Sequence, residues 1–408
     1  MSRHLLAVNF RDPHHPDAGG AELHLEEILL EAVRRGWRVT WLAAGFPGAA
    51  AETEHRGIHL VRRGTWWNFN LIVPGVLKRE FSDPAPDRVI EDINKVPCFT
   101  PLFTRAPVSV IVPHLFGATA VRETSLPVAL YVMALEALIP RIYRGSRFLA
   151  ISESTRDDLV KRGIRPEHVA VVHCGIDHDT YRTDPATPKS AAPTIVFVGR
   201  LRRYKGLDWV IRSLPRVRAR VPEARLVVIG DGPYAGDLRL AAARLGVAPA
   251  VAFLGFLARE EKARRLREAW VLVQPSPKEG WGLTVIEASA SGTAVVAANS
   301  PGLRDSVRDG VTGVLVRYGD DEALASALAG VLTDDARRAA LAAEGLRWAA
   351  TFTWPDCARR SLDALDASRD KAAGSGALDS SRSTSGSAAT DSPRRAPSAP
   401  AESTGAAT

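Results

Sequence analysis

The sequence predicts an α/β fold: two doubly wound, Rossmann-like parallel-sheet domains that face a cleft. Short apolar runs alternate with helical patterns from residue 4 to residue 173, and a second alternating set begins at residue 194. Such alternation favours parallel sheets with helices on both faces. Between the two sets, residues 184–193 lack periodicity and contain three prolines. A linker between two sheets implies an interdomain cleft, a common location for small-molecule sites, and closure hinged near the linker.

The first half of the chain supplies one sheet, whose strands are short apolar runs bounded by turn residues. A helix is predicted at 20–35. The apolar stretch 126–140 contains Glu136 and ends at Pro140. Because a membrane span needs about 18 apolar residues, we expect a buried core helix there. The strands are predicted at 4–10, 37–44, 58–63, 88–93, 108–113, 147–151 and 169–173.

The second half repeats this pattern. Ala-rich helices are predicted between and after its strands, and a last helix is predicted at 354–369. Thr353 suits the N-cap of that helix, and Pro355 suits its first turn. The strands are predicted at 194–198, 225–229, 251–254, 270–273, 294–298 and 313–316.

These patterns set the expected domain boundaries. From residue 372 onward the chain is rich in Ala, Gly, Ser, Thr and Pro and has no aromatic residue, so it cannot bury enough surface to fold. The expected parts are an amino-terminal domain at 1–184, a linker at 185–193, a carboxyl-terminal domain at 194–352, a helix at 353–370 and a disordered tail at 371–408.

Composition excludes several classes of protein. With 46% hydrophobic and 24% charged residues, the 408-residue chain is an ordinary globular protein. Cys98, Cys174 and Cys357 show no metal-ligand spacing, which argues against a zinc site or a disulfide scaffold and fits a reducing cytoplasm. The first apolar run begins at Leu5, which is too early and too short for a signal peptide.

The formal charge of +7 suggests anionic partners. Nucleic acid is not favoured, because the sequence has neither a recognition-helix signature nor a basic platform rich in stacking residues. Residues 62–69, followed by Lys78 and Arg79, mix cations with interfacial aromatics. This mixture predicts peripheral contact with an anionic membrane. The alternative is that Trp66 and Trp67 pack in a core or line an acceptor groove.

Two acids follow a predicted strand of the second half. Glu279 comes after the strand at 270–273, and Glu287 lies about one turn into the next helix. Ligands bind outside the carboxyl ends of strands in open α/β sheets, and carboxylates accept hydrogen bonds from hydroxyls. The pair therefore suggests a sugar or ribose site. The alternative is that the two acids lie in solvent at the start of a helix and bind nothing.

Two cations follow the strand at 194–198. Gly199 allows the chain to turn, and Arg200 and Lys205 then lie near the start of a helix predicted at 207–219. A helix amino end favours anions, and a guanidinium with an ammonium adds a clamp for a pyrophosphate. The alternative is a basic surface loop. Together the cation pair and the acid pair indicate a nucleotide-sugar site better than either does alone.

The first half adds weaker candidates. Gly19 and Gly20 open the first helix, where paired glycines allow close approach of an anion to backbone N–H groups. His114 follows the strand at 108–113, and the alternative to a role in the site is that it is an ordinary half-buried histidine. Glu91 and Asp92 end another strand, and we expect them to contact acceptor hydroxyls.

These motifs make the chain resemble the retaining glycosyltransferases of family 4, in the group that includes glycogen synthases and mannosyltransferases. The resemblance is carried by Gly-Arg-Leu at 199–201 with Lys-Gly at 205–206, by Gly-Asp-Gly at 230–232, and by two glutamates separated by seven residues at 279–287. It spans roughly residues 1–365 and is denser in the second half. It implies the two-domain GT-B fold, with the last helix returning to the first domain.

The resemblance also implies roles for residues. Arg200 and Lys205 would hold the donor diphosphate, Glu279 would face the transferred sugar, and Glu287 would bond the ribose. His114 matches a family histidine near the reacting sugar, but the family acid that follows it is replaced by Leu115, so a positioning role is expected. Further donor contacts are implied for Gly19, Gly20, Gly230, Phe256, Gly280, Gly282 and Leu283.

We therefore expect a retaining hexosyltransferase that moves a sugar from a nucleoside diphosphate to a hydroxyl of a sugar, a glycolipid or a polyprenyl-linked glycan. Cell-envelope synthesis in the cytoplasm, peripheral to the membrane, is expected. No Asp-x-Asp follows directly on an apolar strand, so we predict that the enzyme needs neither a metal nor a cofactor. The alternatives are a natural-product glycosyltransferase, a nucleotide-sugar epimerase, an α-glucan phosphorylase and an inactive nucleotide-sugar-binding protein.

Overall fold

The computed structural model describes residues 2–117 and 125–366, and it contains two parallel sheets. The first sheet has eight strands in the order β3-β4-β2-β1-β5-β6-β7-β8. Only β3 is antiparallel to its neighbour β4. The strands are β1 His4–Val8, β2 Arg38–Gly45, β3 Glu52–His55, β4 Ile58–Thr65, β5 Arg88–Asp92, β6 Val108–Val112, β7 Arg147–Ala150 and β8 Val169–Val171.

The second sheet has six parallel strands in the order β11-β10-β9-β12-β13-β14. In both sheets the chain leaves a central strand in one direction and later returns to the other side, which makes them doubly wound. The predicted fold class is thereby confirmed. The strands are β9 Thr194–Val198, β10 Arg225–Ile229, β11 Val251–Gly255, β12 Val271–Gln274, β13 Ala294–Ala298 and β14 Val314–Val316.

Helices cover both faces of each sheet. The amphipathic first helix shows why: Leu25, Ile28, Leu29 and Ala32 recur at helical spacing and are all buried. The helices are α1 Gly20–Arg34, α2 Phe69–Glu80, α3 Leu126–Ile142, α4 Glu153–Lys161, α5 Leu207–Arg220, α6 Ala235–Arg244, α7 Arg259–Glu268, α8 Leu283–Ala290, α9 Leu303–Ser306, α10 Asp321–Thr333, α11 Asp335–Ala349 and α12 Trp354–Asp366.

The structure overturns the expectation of a buried core helix at 126–140. In α3 only Ala129, Glu136 and Ile139 are buried; four residues are half-buried and the other ten are exposed. Periodicity could not reveal this, because the helix is apolar on every side. Among the described residues, no helix combines the length and the apolar character needed to cross a bilayer.

The last helix lies against the first sheet's layer of helices. Arg3 donates two hydrogen bonds to Asp366, at 2.7 and 3.0 Å, and Arg88 donates to the Leu365 carbonyl at 2.6 Å. The predicted tail at 371–408 lies outside the described residues. Residues 353–366 therefore bring the chain back from the second sheet to the first.

The chain thus crosses between the sheets twice, and the two crossing segments touch. The Ile176 N–H donates to the Phe352 carbonyl at 3.3 Å, and the His178 ring contacts the same oxygen at 3.0 Å. The predicted linker is anchored further along. Lys189 donates to the carbonyls of Ala269 and Gly292, at 2.8 and 3.1 Å, so that part of the linker belongs to the second sheet's layers.

Candidate active site between the two sheets

The carboxyl ends of both sheets meet at two adjoining cavities of about 740 and 240 Å³. The segments that follow β1, β9 and β12 line both cavities and form the wall that the cavities share. Of the residues predicted from the sequence, the larger cavity is lined by Gly19, Gly20, Arg200, Gly230, Phe256, Leu283 and Glu287. The smaller one is lined by Gly20, His114, Lys205, Glu279, Gly280, Gly282 and Leu283.

Two glycines allow this close approach of backbones. A Cβ on Gly280 would lie 2.8 Å from the Pro113 carbonyl oxygen, across the boundary between the two halves. Gly230 has a φ of +125°, and a Cβ there would lie 2.1 Å from the Gly199 carbonyl oxygen. A side chain at either position would push apart the loops that surround the cavities.

Lys205 and Glu279 form an ion pair in the smaller cavity, with 2.6 Å between Nζ and Oε1. Burial opposes ionisation of Glu279, but the charge and hydrogen bond of Lys205, together with a hydrogen bond from Ser276, outweigh it and leave the pKa of Glu279 below its usual value. Burial likewise works against the lysine charge, yet Glu279 keeps the pKa of Lys205 above normal. Both groups are therefore charged at neutral pH.

Gln274, at the carboxyl end of β12, belongs to the same cluster. Its side-chain amide donates to Glu279 Oε1 at 3.3 Å. Its Oε1 atom is buried and has no hydrogen-bond partner among the described residues, and the residue lines the smaller cavity together with the ion pair. The position was missed from sequence, although its place at a strand end was the available signal.

Glu287 is held in a second cluster, on the wall of the larger cavity. Lys262 Nζ lies 3.0 Å from both carboxylate oxygens. Burial, and then the charge and hydrogen bond of Glu287, raise the pKa of Tyr181, so this phenol stays protonated. Lys262 could not be found from sequence, because it lies in a helix dense with charges of both signs.

Arg200 lies at the mouth of the larger cavity. One of its guanidinium nitrogens donates to the Asp17 carbonyl at 2.6 Å. The same nitrogen would be 3.2 Å from a Cβ on Gly19. Arg200 therefore joins the loop after β9 to the segment that leads into α1, and it places a cation beside Gly19 at the start of that helix.

His114 lines the smaller cavity with Glu279 and Lys205. Burial, assisted by the charge of Lys278, lowers the pKa of His114 to about 4. The imidazole is consequently neutral at physiological pH and has one donor and one acceptor to offer.

The structure corrects the assignment of Glu91 to acceptor binding. The Glu91 carboxylate is 1% exposed, and it accepts hydrogen bonds from Tyr143, Cys98 and Thr100. These contacts anchor the segment between β5 and β6, and Glu91 lines neither cavity. Asp92 also lies outside the lining of both cavities; it accepts from Asn9 at 3.2 Å, and burial raises its pKa well above normal.

Family comparisons decide how this arrangement is classified. The model for glycosyl transferases group 1 matches residues 182–348, and the model for glycosyltransferase family 4 matches residues 18–180. A relative from Mycobacterium tuberculosis H37Rv is 32% identical over 399 residues, covering 90% of this chain and 98% of the relative. It is the GDP-mannose-dependent alpha-(1-6)-phosphatidylinositol monomannoside mannosyltransferase. The chain belongs to glycosyltransferase family 4.

Other relatives match this glycosyltransferase over a shorter span. The D-inositol 3-phosphate glycosyltransferase of Corynebacterium kroppenstedtii is 34% identical over 235 residues, covering 53% of this chain and 52% of the relative. The predicted resemblance to the family is confirmed by these comparisons.

Solved structures confirm the GT-B fold of the family 4 chain. Sucrose-phosphate synthase from Thermosynechococcus elongatus superposes with a TM-score of 0.74 at 19% identity, covering 88% of this chain and 97% of that one. The Anabaena protein HepE in complex with UDP-glucose superposes with a TM-score of 0.69 at 20% identity, covering 89% and 99%. At such identities the likeness shows the fold alone.

Proposed function

We propose that the chain transfers a hexosyl group from a nucleoside-diphosphate sugar to a hydroxyl acceptor, with retention at the anomeric carbon and without a metal. The observation that carries the proposal is the placement of two cations and two acids, Arg200, Lys205, Glu279 and Glu287, around two adjoining cavities. A donor of this class needs cations for its diphosphate and acids for its hydroxyls.

The diphosphate would lie at the shared wall of the cavities. Arg200 and the first turn of α1 approach it from one side, and Lys205 approaches from the other. Negative charge grows on the diphosphate as the glycosidic bond breaks, so cations held there lower the barrier. Lys205 is already ionised and held by Glu279 before the donor arrives, which limits the reorganisation that binding requires.

The two ends of the donor would then occupy different cavities. The nucleoside lies in the larger cavity, with Glu287 accepting from the ribose and the exposed Phe256 beside the base. The sugar lies in the smaller cavity, where Glu279 accepts from its hydroxyls and His114 positions the reacting carbon. The unpartnered oxygen of Gln274 offers one further acceptor for a sugar hydroxyl.

We propose GDP-mannose as the donor and a glycolipid as the acceptor, in cell-envelope glycolipid synthesis. Support comes from the mycobacterial mannosyltransferase, 98% of which this chain covers. We place the reaction in the cytoplasm, at the inner face of the membrane. Retention is proposed from membership of family 4.

Metal independence is proposed because Arg200 and Lys205 supply the charge that a divalent ion would otherwise supply. Among the described residues, no three His, Cys, Asp or Glu side chains gather in a way that could hold a metal ion. Activity retained in excess chelator is the expected result, and a complete loss restored by added metal would contradict it.

The proposal is tested by measuring donor hydrolysis and transfer with a panel of nucleoside-diphosphate sugars. Arg200→Ala and Lys205→Ala are each expected to lower kcat by more than about tenfold, a barrier change of about 1.4 kcal/mol. Arg264→Ala, on the exposed face of α7, is the matched control and should leave kcat unchanged. Wild-type turnover in both cavity variants would refute the clamp, and the anomeric configuration of the product tests retention.

The same assay separates the enzyme from an inactive nucleotide-sugar-binding protein. An inactive binder would show ligand-induced thermal stabilisation but no turnover that depends on Glu279. Loss of transfer in Glu279→Ala, with donor binding retained, is the result expected of a glycosyltransferase.

A further inference from the structure

The surface helix α3 is apolar beyond what its packing requires. Its seventeen residues contain one acid, Glu136, and one base, Arg141. A helix that is apolar all round is normally buried on all sides. Here the described residues cover only one side of the helix, so the other side needs a different explanation.

The inward side of α3 uses the only acid of the helix. Glu136 is 1% exposed and accepts hydrogen bonds from the Phe116 and Gly117 N–H groups, at 2.7 and 2.9 Å, and from Arg162 at 3.1 Å. Ile139 packs beneath the helix in the core of the first sheet. The outward side of α3 therefore carries no negative charge.

The outward side is a continuous apolar stripe. Leu126, Leu130 and Met133 are spaced by four and three residues, which places them on one face, and they are 60%, 56% and 36% exposed. Single exposed hydrophobic residues are ordinary, but a contiguous stripe marks a site of interaction. Two further exposed side chains, Tyr131 and Leu138, lie beside the stripe on the outward side of the helix.

The stripe continues onto the neighbouring helix. The Asn70 side chain, in the first turn of α2, donates to the Tyr131 hydroxyl at 2.7 Å, which fixes the two helices side by side. Trp67 and Leu71 lie beside that contact in the chain and are 85% and 68% exposed. We call the outward side chains of α3 together with Trp67 and Leu71 the apolar face.

Cations stand at the far ends of both helices. Lys78 and Arg79 close α2, and Arg141 and Arg144 lie at the end of α3 and just after it; all four are exposed. The acid at the end of α2, Glu80, is engaged by Arg63 at 2.8 Å. The apolar face thus has a cationic border.

The structure also corrects which part of residues 62–69 can reach a membrane. Arg62 is buried and pairs with Asp12 at 2.6 Å. Trp66 packs against Phe10, with 5.4 Å between ring centroids, and lies under the Arg11 guanidinium. Trp67 is exposed, whereas Trp66 is partly buried.

We propose that the apolar face docks this glycosyltransferase on an anionic lipid bilayer, with the outward side chains of α3 inserted among the acyl chains. An amphipathic surface with tryptophan, leucine and a basic border suits the membrane interface. A second copy of the chain fits less well, because a two-fold contact would bring two cationic borders together.

The location of the face gives it a role in catalysis. Both α2 and α3 begin at the carboxyl edge of the first sheet, since they follow β4 and β6, and that edge borders the active site. The ring centroid of Trp66, which precedes Trp67 in the chain, lies 5.9 Å from the Lys95 ammonium. A docked enzyme would therefore hold the mouth of its site at the headgroup level, where a lipid-linked acceptor presents its hydroxyls.

The test is co-sedimentation of the full chain with phosphatidylcholine vesicles containing about one quarter phosphatidylglycerol. Leu130→Asp combined with Met133→Asp is expected to lower the partition coefficient by about tenfold or more, because it removes two inserted apolar side chains. Leu240→Asp is the matched control. That leucine is 57% exposed on α6, on the second sheet, and its replacement should change nothing.

Three results would overturn the proposal: no sedimentation of the wild type, equal binding to vesicles of pure phosphatidylcholine, or wild-type binding by the double variant. The proposal would also be overturned if the wild type formed a dimer and bound no vesicles, and the double variant were a monomer. The proposal uses the proposed function only for the acceptor. Vesicle binding is measured without donor or turnover. A protein that binds vesicles but has no glycosyltransferase activity would therefore refute the proposed function and leave the docking proposal standing.

Discussion

Removing the charge of Lys205 should change stability in a way that depends on pH. The Lys205–Glu279 pair is 2.6 Å long, and its side chains are only 15% and 14% exposed. Deleting one partner of a buried pair leaves the other charge uncompensated, which typically costs about 3–5 kcal/mol. Because some solvent reaches this pair, we expect Lys205→Ala to lower the free energy of unfolding by about 3 kcal/mol at pH 7.

The sign of the pH dependence follows from the pKa of Glu279. In the wild type this pKa is lowered, so the contribution of Glu279 to stability is present above its ordinary pKa and is lost as pH falls through the lowered one. Without Lys205, burial dominates and raises the pKa. The carboxyl then reduces stability as pH rises through its ordinary value. The difference between the two proteins should therefore grow with pH.

Urea unfolding between about pH 4.5 and 8 measures this difference. The double variant Lys205→Met/Glu279→Gln should recover most of the lost stability at pH 7, because it leaves no buried charge unpaired. Arg264→Ala, which breaks exposed pairs on α7, should have a small effect that does not change with pH. A loss of stability that is equal at both ends of the pH range, or a double variant as unstable as the single one, would refute the reasoning.

Three further predictions concern other residues of the site. Glu91→Ala should lower the melting temperature by about 5 °C or more while leaving the KM for acceptor unchanged, because Glu91 anchors a loop; a raised acceptor KM with normal stability would restore its binding role. The pH profile of kcat should show no titration of His114 near pH 6.5, since its pKa is about 4, and NMR of the ring would detect a higher value. Gly280→Ala should lower kcat by about tenfold or more, because its Cβ would lie 2.8 Å from Pro113; unchanged kcat would show that the loops tolerate separation.

Much of the fold followed from sequence because parallel strands are buried on both faces and appear as continuous apolar runs. Every predicted strand is present, with ends that differ by about two residues or fewer. β3 was not predicted, since Glu52–His55 is polar and lies at a sheet edge. α3 was predicted as a helix but misplaced in the core, because composition does not show how many sides of an apolar helix the fold covers.

The candidate site was predictable to the extent that it depends on position in the chain. Arg200, Lys205 and Glu279 follow strands, and the carboxyl ends of parallel strands share an edge. What spacing could not show is which groups pair with which: the Lys205–Glu279 contact joins residues 74 positions apart. Glu91 was misassigned for the same reason. Its partners come from a loop and from Tyr143, which the topology alone did not place beneath it.

The contact between the two crossing segments bears on how the enzyme opens. A single connecting segment would allow the two sheets to rotate relative to each other in any direction. Here there are two connecting segments, and the Ile176 N–H of one donates a hydrogen bond to the Phe352 carbonyl of the other. We therefore expect the two crossing segments to bend together when the two sheets rotate relative to each other, which favours rotation about one axis. We expect a chain that ends before Trp354 to lose the return connection, so that the two sheets can also twist relative to each other even though every residue proposed to contact the donor remains.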